Sequence, residues 1–174
     1  MSIPQKPKPA KLVIGFFLKQ KQLLDELVAD LCSRFGTVDM ISAWLPFDYT
    51  TYYAAELGAP LFRRLFSFEK LIQQDALAKI KLSTNELEHK YSQNGKRRVN
   101  IDPGYMLHER FVLASGKNFS HRIYLDEGVY ADLTLLYHKG CFQKLPWTYP
   151  DYADQSMLTV LERIRQKYIL EVRP

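Results

Sequence analysis

Cysteine is scarce in this chain: Cys32 and Cys141 are the only two in 174 residues. Two thiols build neither a disulfide framework nor a cysteine-based zinc site. No apolar run approaches the roughly 18–20 residues that cross a bilayer, which excludes a transmembrane helix. The phosphate-cradling loop GxxxxGK[ST] is missing, as are GxGxxG after a strand and the GxSxG nucleophile elbow. The aromatic RNA-recognition signature is absent too, and no His-x-x-x-His or His/Glu pair has metal-ligand spacing. Together these gaps remove the usual nucleotide folds, a serine-hydrolase site and an evident metal centre. No motif names a cofactor.

An excess of one charge is also lacking over most of the chain. The net charge of +5 would suit a nucleic-acid partner. Yet residues 1–21 carry Lys6, Lys8, Lys11, Lys19 and Lys21 and no acid, leaving 19 basic and 19 acidic side chains in the rest. The body is neutral, with local basic groups at Arg63–Arg64 and Lys96-Arg97-Arg98. The start, MSIPQKPKPA, has no apolar stretch of the secretory kind and reads as a flexible, basic, Pro-rich tail over 1–10. With 47% hydrophobic and 25% charged residues, 11–174 read as one globular domain. The expected setting is cytoplasmic, with both thiols free and no membrane association.

Hydrophobic periodicity gives the elements. Lys11–Leu18 (KLVIGFFL) is continuously apolar, as in a strand buried on both faces. Gly15 in its middle marks the close approach of another group. Gln22–Phe35 has helical spacing and stops at Gly36. Val38–Leu45 and Leu61–Phe68 read as strands, Asp75–Tyr91 as a second helix and Arg97–Ile101 as a fourth strand. This order, βαββαβ, predicts an α+β fold with a ferredoxin-like core, its helices covering one face of an antiparallel sheet. Glu109–Ala114, Ser120–Leu125 and Val129–Tyr137 extend the sheet through a C-terminal hairpin, and Gln155–Ile169 forms a third helix. A three-residue loop, Asp126-Glu127-Gly128, would pair Leu125 with Val129, Tyr124 with Tyr130 and Arg122 with Asp132.

Four stretches carry candidate chemistry. In Arg97–Tyr105 (RRVNIDPGY), strand alternation puts Arg98, Asn100 and Asp102 on one face, and Asp102-Pro103-Gly104-Tyr105 reads as a type II turn. A cation, an amide and a carboxylate so placed would grip an anion and supply a base; alternatively, Asp102 caps its turn and Arg98 pairs with a neighbour. Pro46–Gly58 sets Asp48, Tyr52 and Glu56 just past a strand end, with Tyr52 and Glu56 one helical turn apart. Carboxylates among aromatic rings suit acid–base work. Pro146–Tyr152 (PWTYPDY) offers Trp147 for stacking, unless these aromatic loops simply seal the core. His121, at the start of the hairpin on its apolar side, is the candidate acid. Arg122 is either a ligand contact or half of an ordinary cross-strand ion pair, worth under about 1 kcal/mol if exposed.

The pieces KLVIG, PFDYTTYYAAELG, RRLFSFEKL, KLSTNELE, RRVNIDPGY, HRIYL, YADLTLLY and LPWTYPDY, in this order, resemble the bacterial domain of unknown function 4416 family. The resemblance runs from about Lys11 to near the C-terminus. It implies a standalone bacterial protein and that Glu often stands at the position of Asp132, and it supplies no reaction and no catalytic residue. A GTP-binding label on some members finds no support in the motifs. The residues themselves favour a small anionic ligand, nucleotide- or sugar-phosphate-like. Arg98 would be its clamp and Asn100 an orienting partner, with Tyr52, Arg122 and Trp147 as further contacts. Asp48, Glu56 or Asp102 would be the base and His121 the acid. An RNA-binding module and a protein-interaction adaptor are the alternatives, and whether the protein is an enzyme stays open.

Overall fold

The apolar run becomes β1 (Ala10–Leu18), buried at every position. The computed structural model describes residues 1–173. After β1 come α1 (Leu24–Phe35), β2 (Val38–Ile41), β3 (Leu45–Phe47), the single-turn α2 (Ala54–Leu57), β4 (Leu61–Ile72) and α3 (Leu77–Lys90). Then follow β5 (Val99–Met106), β6 (Arg110–Ser115), β7 (Arg122–Asp126), β8 (Val129–His138), β9 (Cys141–Lys144) and α4 (Gln155–Glu171). The strands form one antiparallel sheet in the order β2-β4-β1-β5-β6-β8-β7, with β3 beside β4 and β9 beside β8. No described helix is long and apolar enough to cross a membrane.

Alternation along β1 divides the core in two. Leu12, Ile14, Phe16 and Leu18 meet Leu27 and Leu31 of α1 and Ile80 and Leu87 of α3. Val13 faces the other way, toward Met157, Leu161 and Ile164 of α4. Helices therefore cover both faces of the sheet, where the strand order had suggested one. The third amphipathic helix has its own apolar stripe, and α1 and α3 leave no room for it on their side.

Three local expectations change. The predicted strand Val38–Leu45 is broken at Ser42, whose hydroxyl accepts the Leu65 N–H at 3.0 Å in place of a ladder partner. The two-residue loop Glu127-Gly128, both at positive φ (48° and 78°), closes the hairpin at Asp126–Val129. A bulge between Tyr124 and Asp126 takes up Leu125, while Arg122–Asp132 and Tyr124–Tyr130 pair as read.

Most consequential is Asp102–Tyr105, which forms no turn but continues β5. Pairing with β6 begins only at Gly104–Leu113. Before that point, Ile101 points its N–H and carbonyl away from β1 toward α3, and Pro103, two residues on, faces the same unpaired side. A proline costs no ladder bond there. Gly104 then brings β5 hard against β6: an added Cβ would overlap the Val112 carbonyl oxygen and lie 2.9 Å from Leu113 Cδ2. Gly104→Ala is expected to destabilise the protein by about 1–3 kcal/mol, read as a lower urea midpoint at unchanged slope.

Candidate ligand-binding site

Antiparallel pairing brings the start of β4, β5 and β8 and the end of β1 and β6 to one end of the sheet. There β5 and β6 part. The Ile101 N–H donates to Glu88 Oε1 at 2.6 Å, and Lys81 Nζ donates to the Ile101 carbonyl at 2.8 Å. With the exposed strand edge satisfied from α3, the gap stays open as a cavity of about 720 Å³. Side chains from α3, from the strands around the gap and from the loops around Tyr52 and Tyr149 line it.

One wall is built on Gly15. It pairs with Asp102, and its missing side chain leaves room for Tyr152 Oη and Arg63 Nη2, which would lie 3.1 and 3.5 Å from an added Cβ. Arg63 is 2% exposed. Its Nη2 donates to Tyr152 Oη at 2.9 Å and to Asp102 Oδ2 at 3.2 Å, and Nη1 pairs with Asp151. The guanidinium carbon lies 4.4 Å from the Tyr152 ring centre and 5.4 Å from that of Phe47. Asn100 Nδ2 donates to the other Asp102 oxygen at 2.9 Å. Arg97 grips both oxygens of Glu56 at 2.7 and 2.8 Å and donates through Nη1 to Glu88 and to Asn100, each at 2.9 Å. A continuous line of hydrogen bonds thus joins Glu56, Arg97, Asn100, Asp102, Arg63 and Tyr152.

The Arg97 hydrogen bonds hold the Glu56 carboxyl below the usual carboxylate range, and Glu56 in turn keeps Arg97 charged. Burial, reinforced by the nearby Asp102 charge, pushes the Tyr53 phenol up to about 12. At neutral pH Tyr53 is therefore a hydrogen-bond donor in the cavity wall.

Across the gap stands Asp132, 1% exposed. Its Oδ2 accepts Arg122 Nε at 2.9 Å and lies 3.3 Å from His121 Nε2. The cross-strand ion pair is thus buried and not the exposed kind of little worth. His121 has left the apolar side expected of it: its ring stacks on Trp147 with centroids 4.8 Å apart, and Trp147 Nε1 donates to the Leu133 carbonyl. Arg122 Nη2 donates to Tyr149 Oη at 2.5 Å, and Nη1 fastens Ser115 and the Lys117 carbonyl.

Of the residues singled out from sequence, Tyr52, Asn100 and Asp102 line the cavity. Glu56 lies behind Arg97, while His121, Arg122 and Trp147 support Asp132 and Tyr149 from outside the lining. Asp48 is exposed and without a hydrogen bond to any described residue. Arg98 does not share a face with Asn100 and Asp102. It precedes β5 and reaches Gln20 on the outside, because the turn at Asn94-Gly95 ends just before it and Glu56 draws Arg97 inward instead. Sequence alone marks Arg63 and Arg97 only as members of local basic groups and does not single out Glu88, Tyr53 or Lys117 as site residues. Only Arg63 left a signal: it alternates with Leu61, Leu65 and Ser67 on one strand face, a charge among residues that face inward.

The family profile described as Domain of unknown function (DUF4416) matches residues 8–168, which include every residue of the cavity. The chain belongs to this family. No curated protein and no solved structure matches it. In this DUF4416 chain the cavity is where cations, carboxylates and aromatic rings gather. Among the described residues no three His, Cys, Asp or Glu side chains gather as a metal set.

Proposed function

We propose that this DUF4416 protein binds a small, hydroxyl-bearing anion of the sugar-phosphate or nucleotide class in the cavity where β5 and β6 part. One observation carries the reading: the polar groups there that lack partners are mainly donors. Four cations and four carboxylates line the cavity. Asp102 and Asp151 lie against Arg63, Glu88 against Arg97, and Asp132 against Arg122. Lys117 has no carboxylate within 4.0 Å among the described residues, and its ammonium lies 5.1 Å from the Tyr52 ring centre at the mouth. The Tyr53 hydroxyl makes no hydrogen bond to a described residue. An anionic group at Lys117 and Tyr53 satisfies both. Asp102, with 29% of its side chain exposed and one donor on each oxygen, keeps lone pairs free for a ligand hydroxyl. The volume falls in the range of ordinary ligand pockets.

The strand order β2-β4-β1-β5, with α1 and α3 on one face, supports reading the first half as a ferredoxin-like βαββαβ unit to which β6–β9 and α4 are added. The unpaired thiols of Cys32 and Cys141 support a reducing, cytoplasmic setting. Arg97 is turned inward, so Lys96-Arg97-Arg98 forms no unbroken basic strip, which favours a small ligand over RNA.

Calorimetric titration with a hexose phosphate, a nucleoside monophosphate and their dephosphorylated parents tests this. A phosphorylated compound is expected to bind, with Lys117→Gln weakening it by about tenfold, the worth of one charge-assisted hydrogen bond. The same substitution should leave any binding of the parent unchanged, whereas Asp102→Asn should weaken both. If no phosphorylated compound binds, or Lys117→Gln has no effect, the assignment fails.

A further inference from the structure

We infer that a second cavity, on the outer side of the Glu56–Arg97 pair, is an oxyanion site for a diphosphate-sized group. It encloses about 330 Å³, and three separate segments build it: the end of β1, the turn of α2 and the hairpin before β5. Four cations line it: Lys19, Lys96, Arg97 and Arg98. Glu56 is the one carboxylate in the lining, and Arg97 already occupies both of its oxygens. Among the described residues, Lys19, Lys96 and Arg98 have no carboxylate within 4.0 Å. Their contacts are to neutral acceptors: Arg98 donates to Gln20 Oε1, and Lys96 Nζ lies 3.3 Å from the Ala55 carbonyl. Three uncompensated like charges thus converge on one concavity of a body whose charges otherwise balance. A multivalent anion removes that repulsion and takes several charge-assisted hydrogen bonds at once.

The cations are positioned by the backbone. Gly58, at φ +80°, lets the Lys19 stem lie across the end of α2, where an added Cβ would stand 3.0 Å from Lys19 Cδ. Asn94 and Gly95, at φ 51° and 73°, turn the chain so that Lys96 returns opposite Gln93 and lines the same cavity as Lys19. Arg98, which alternation had placed beside Asp102, belongs to this site and not to the larger cavity.

Titration of the full chain with inorganic pyrophosphate, followed by phosphorus NMR and calorimetry at about 0.15 M salt, tests the inference. Saturable binding is expected, stronger than that of orthophosphate. Lys96→Gln/Arg98→Gln should weaken it by about tenfold or more, with no fall in the thermal midpoint of the free protein because repulsion has been relieved. Asp102→Asn, a change in the other cavity, should leave pyrophosphate binding intact whatever becomes of the sugar-phosphate reading. Absence of saturable binding overturns the inference, as does binding indifferent to the double substitution. Loss of binding in Asp102→Asn would move the anion to the larger cavity, and tighter binding of a single-stranded RNA than of pyrophosphate at equal phosphate would replace the site with an extended surface.

Discussion

Arg63→Met is expected to lower stability by about 3–5 kcal/mol and to abolish ligand binding in the cavity between β5 and β6. Among the described residues, the guanidinium is the one cation against both Asp102 on the sheet and Asp151 in the loop that closes over it. It also donates to Tyr152, which packs on Phe111 and belongs to the core beneath α4. Removing it strands Asp151, nearly fully buried, beside aromatic rings with no other cation against it among the described residues. A buried charge left without its partner is destabilising, whereas replacing both partners with apolar groups is often close to neutral. Arg63→Met/Asp151→Leu is therefore expected to recover most of the stability but not the binding, since Asp102 would still lack the Arg63 donor on its Oδ2. Urea unfolding of the three proteins with a parallel titration decides it. A loss under about 1 kcal/mol in the single variant, the size of an exposed ion pair, would show that Arg63 does not hold the loop.

That arginine also shows where the sequence stops being informative. Gly15 announced a close approach, but what approaches it is set by Arg63 on β4 and Tyr152 ahead of α4, which only the folded sheet brings together. Local patterns sufficed for β1, for the three long helices with the stop at Gly36, and for the pairing of Arg122 with Asp132. They failed at Asp102-Pro103-Gly104-Tyr105 for a definite reason. Proline followed by glycine is good turn chemistry, and it is equally good strand chemistry where one side of the strand has no partner and the other strand must come very close. Which applies depends on β6 and α3, neither of which is visible in the nine residues Arg97–Tyr105. Asn100 and Asp102 were found because alternation holds inside a strand. Arg98 was misplaced because alternation fails one residue before the strand begins, where Glu56, 41 residues away in sequence, selects Arg97 as the inward side chain.

At the opposite end of the same sheet face, Lys11→Met/Lys167→Met should reverse the response of the protein to acid. Lys11 is fully buried, although it belongs to the charge excess at the start of the chain. Its ammonium meets Asp39 Oδ2 at 2.5 Å and both oxygens of Glu171 at 2.7 Å, while Ser67 donates to Asp39 Oδ1 at 2.5 Å. This cluster ties β1, β2, β4 and the end of α4 together. Burial by itself pushes the Asp39 carboxyl up, but the hydrogen bonds from Lys11 and Ser67 outweigh it and hold the group below its ordinary value. A carboxyl lowered on folding adds stability above its unfolded value of about 3.9, and that stability is lost as the pH falls through the folded value. Without Lys11 the burial effect is opposed from the sheet by the Ser67 hydroxyl alone, and Lys167, partly exposed at 3.4 Å, is the cation left against Asp39 among the described residues. In Lys11→Met/Lys167→Met the Asp39 carboxyl should titrate above its unfolded value, so acidification from pH 7 toward 4 should raise stability by neutralising a stranded charge. At pH 7 Lys11→Met alone is expected to cost about 3–5 kcal/mol. Urea midpoints at pH 7, 5.5 and 4 for wild type and both variants give the answer. If the double variant keeps the acid response of the wild type, Asp39 is not held by these lysines, and the joining of α4 to the sheet must be sought in its apolar contacts alone.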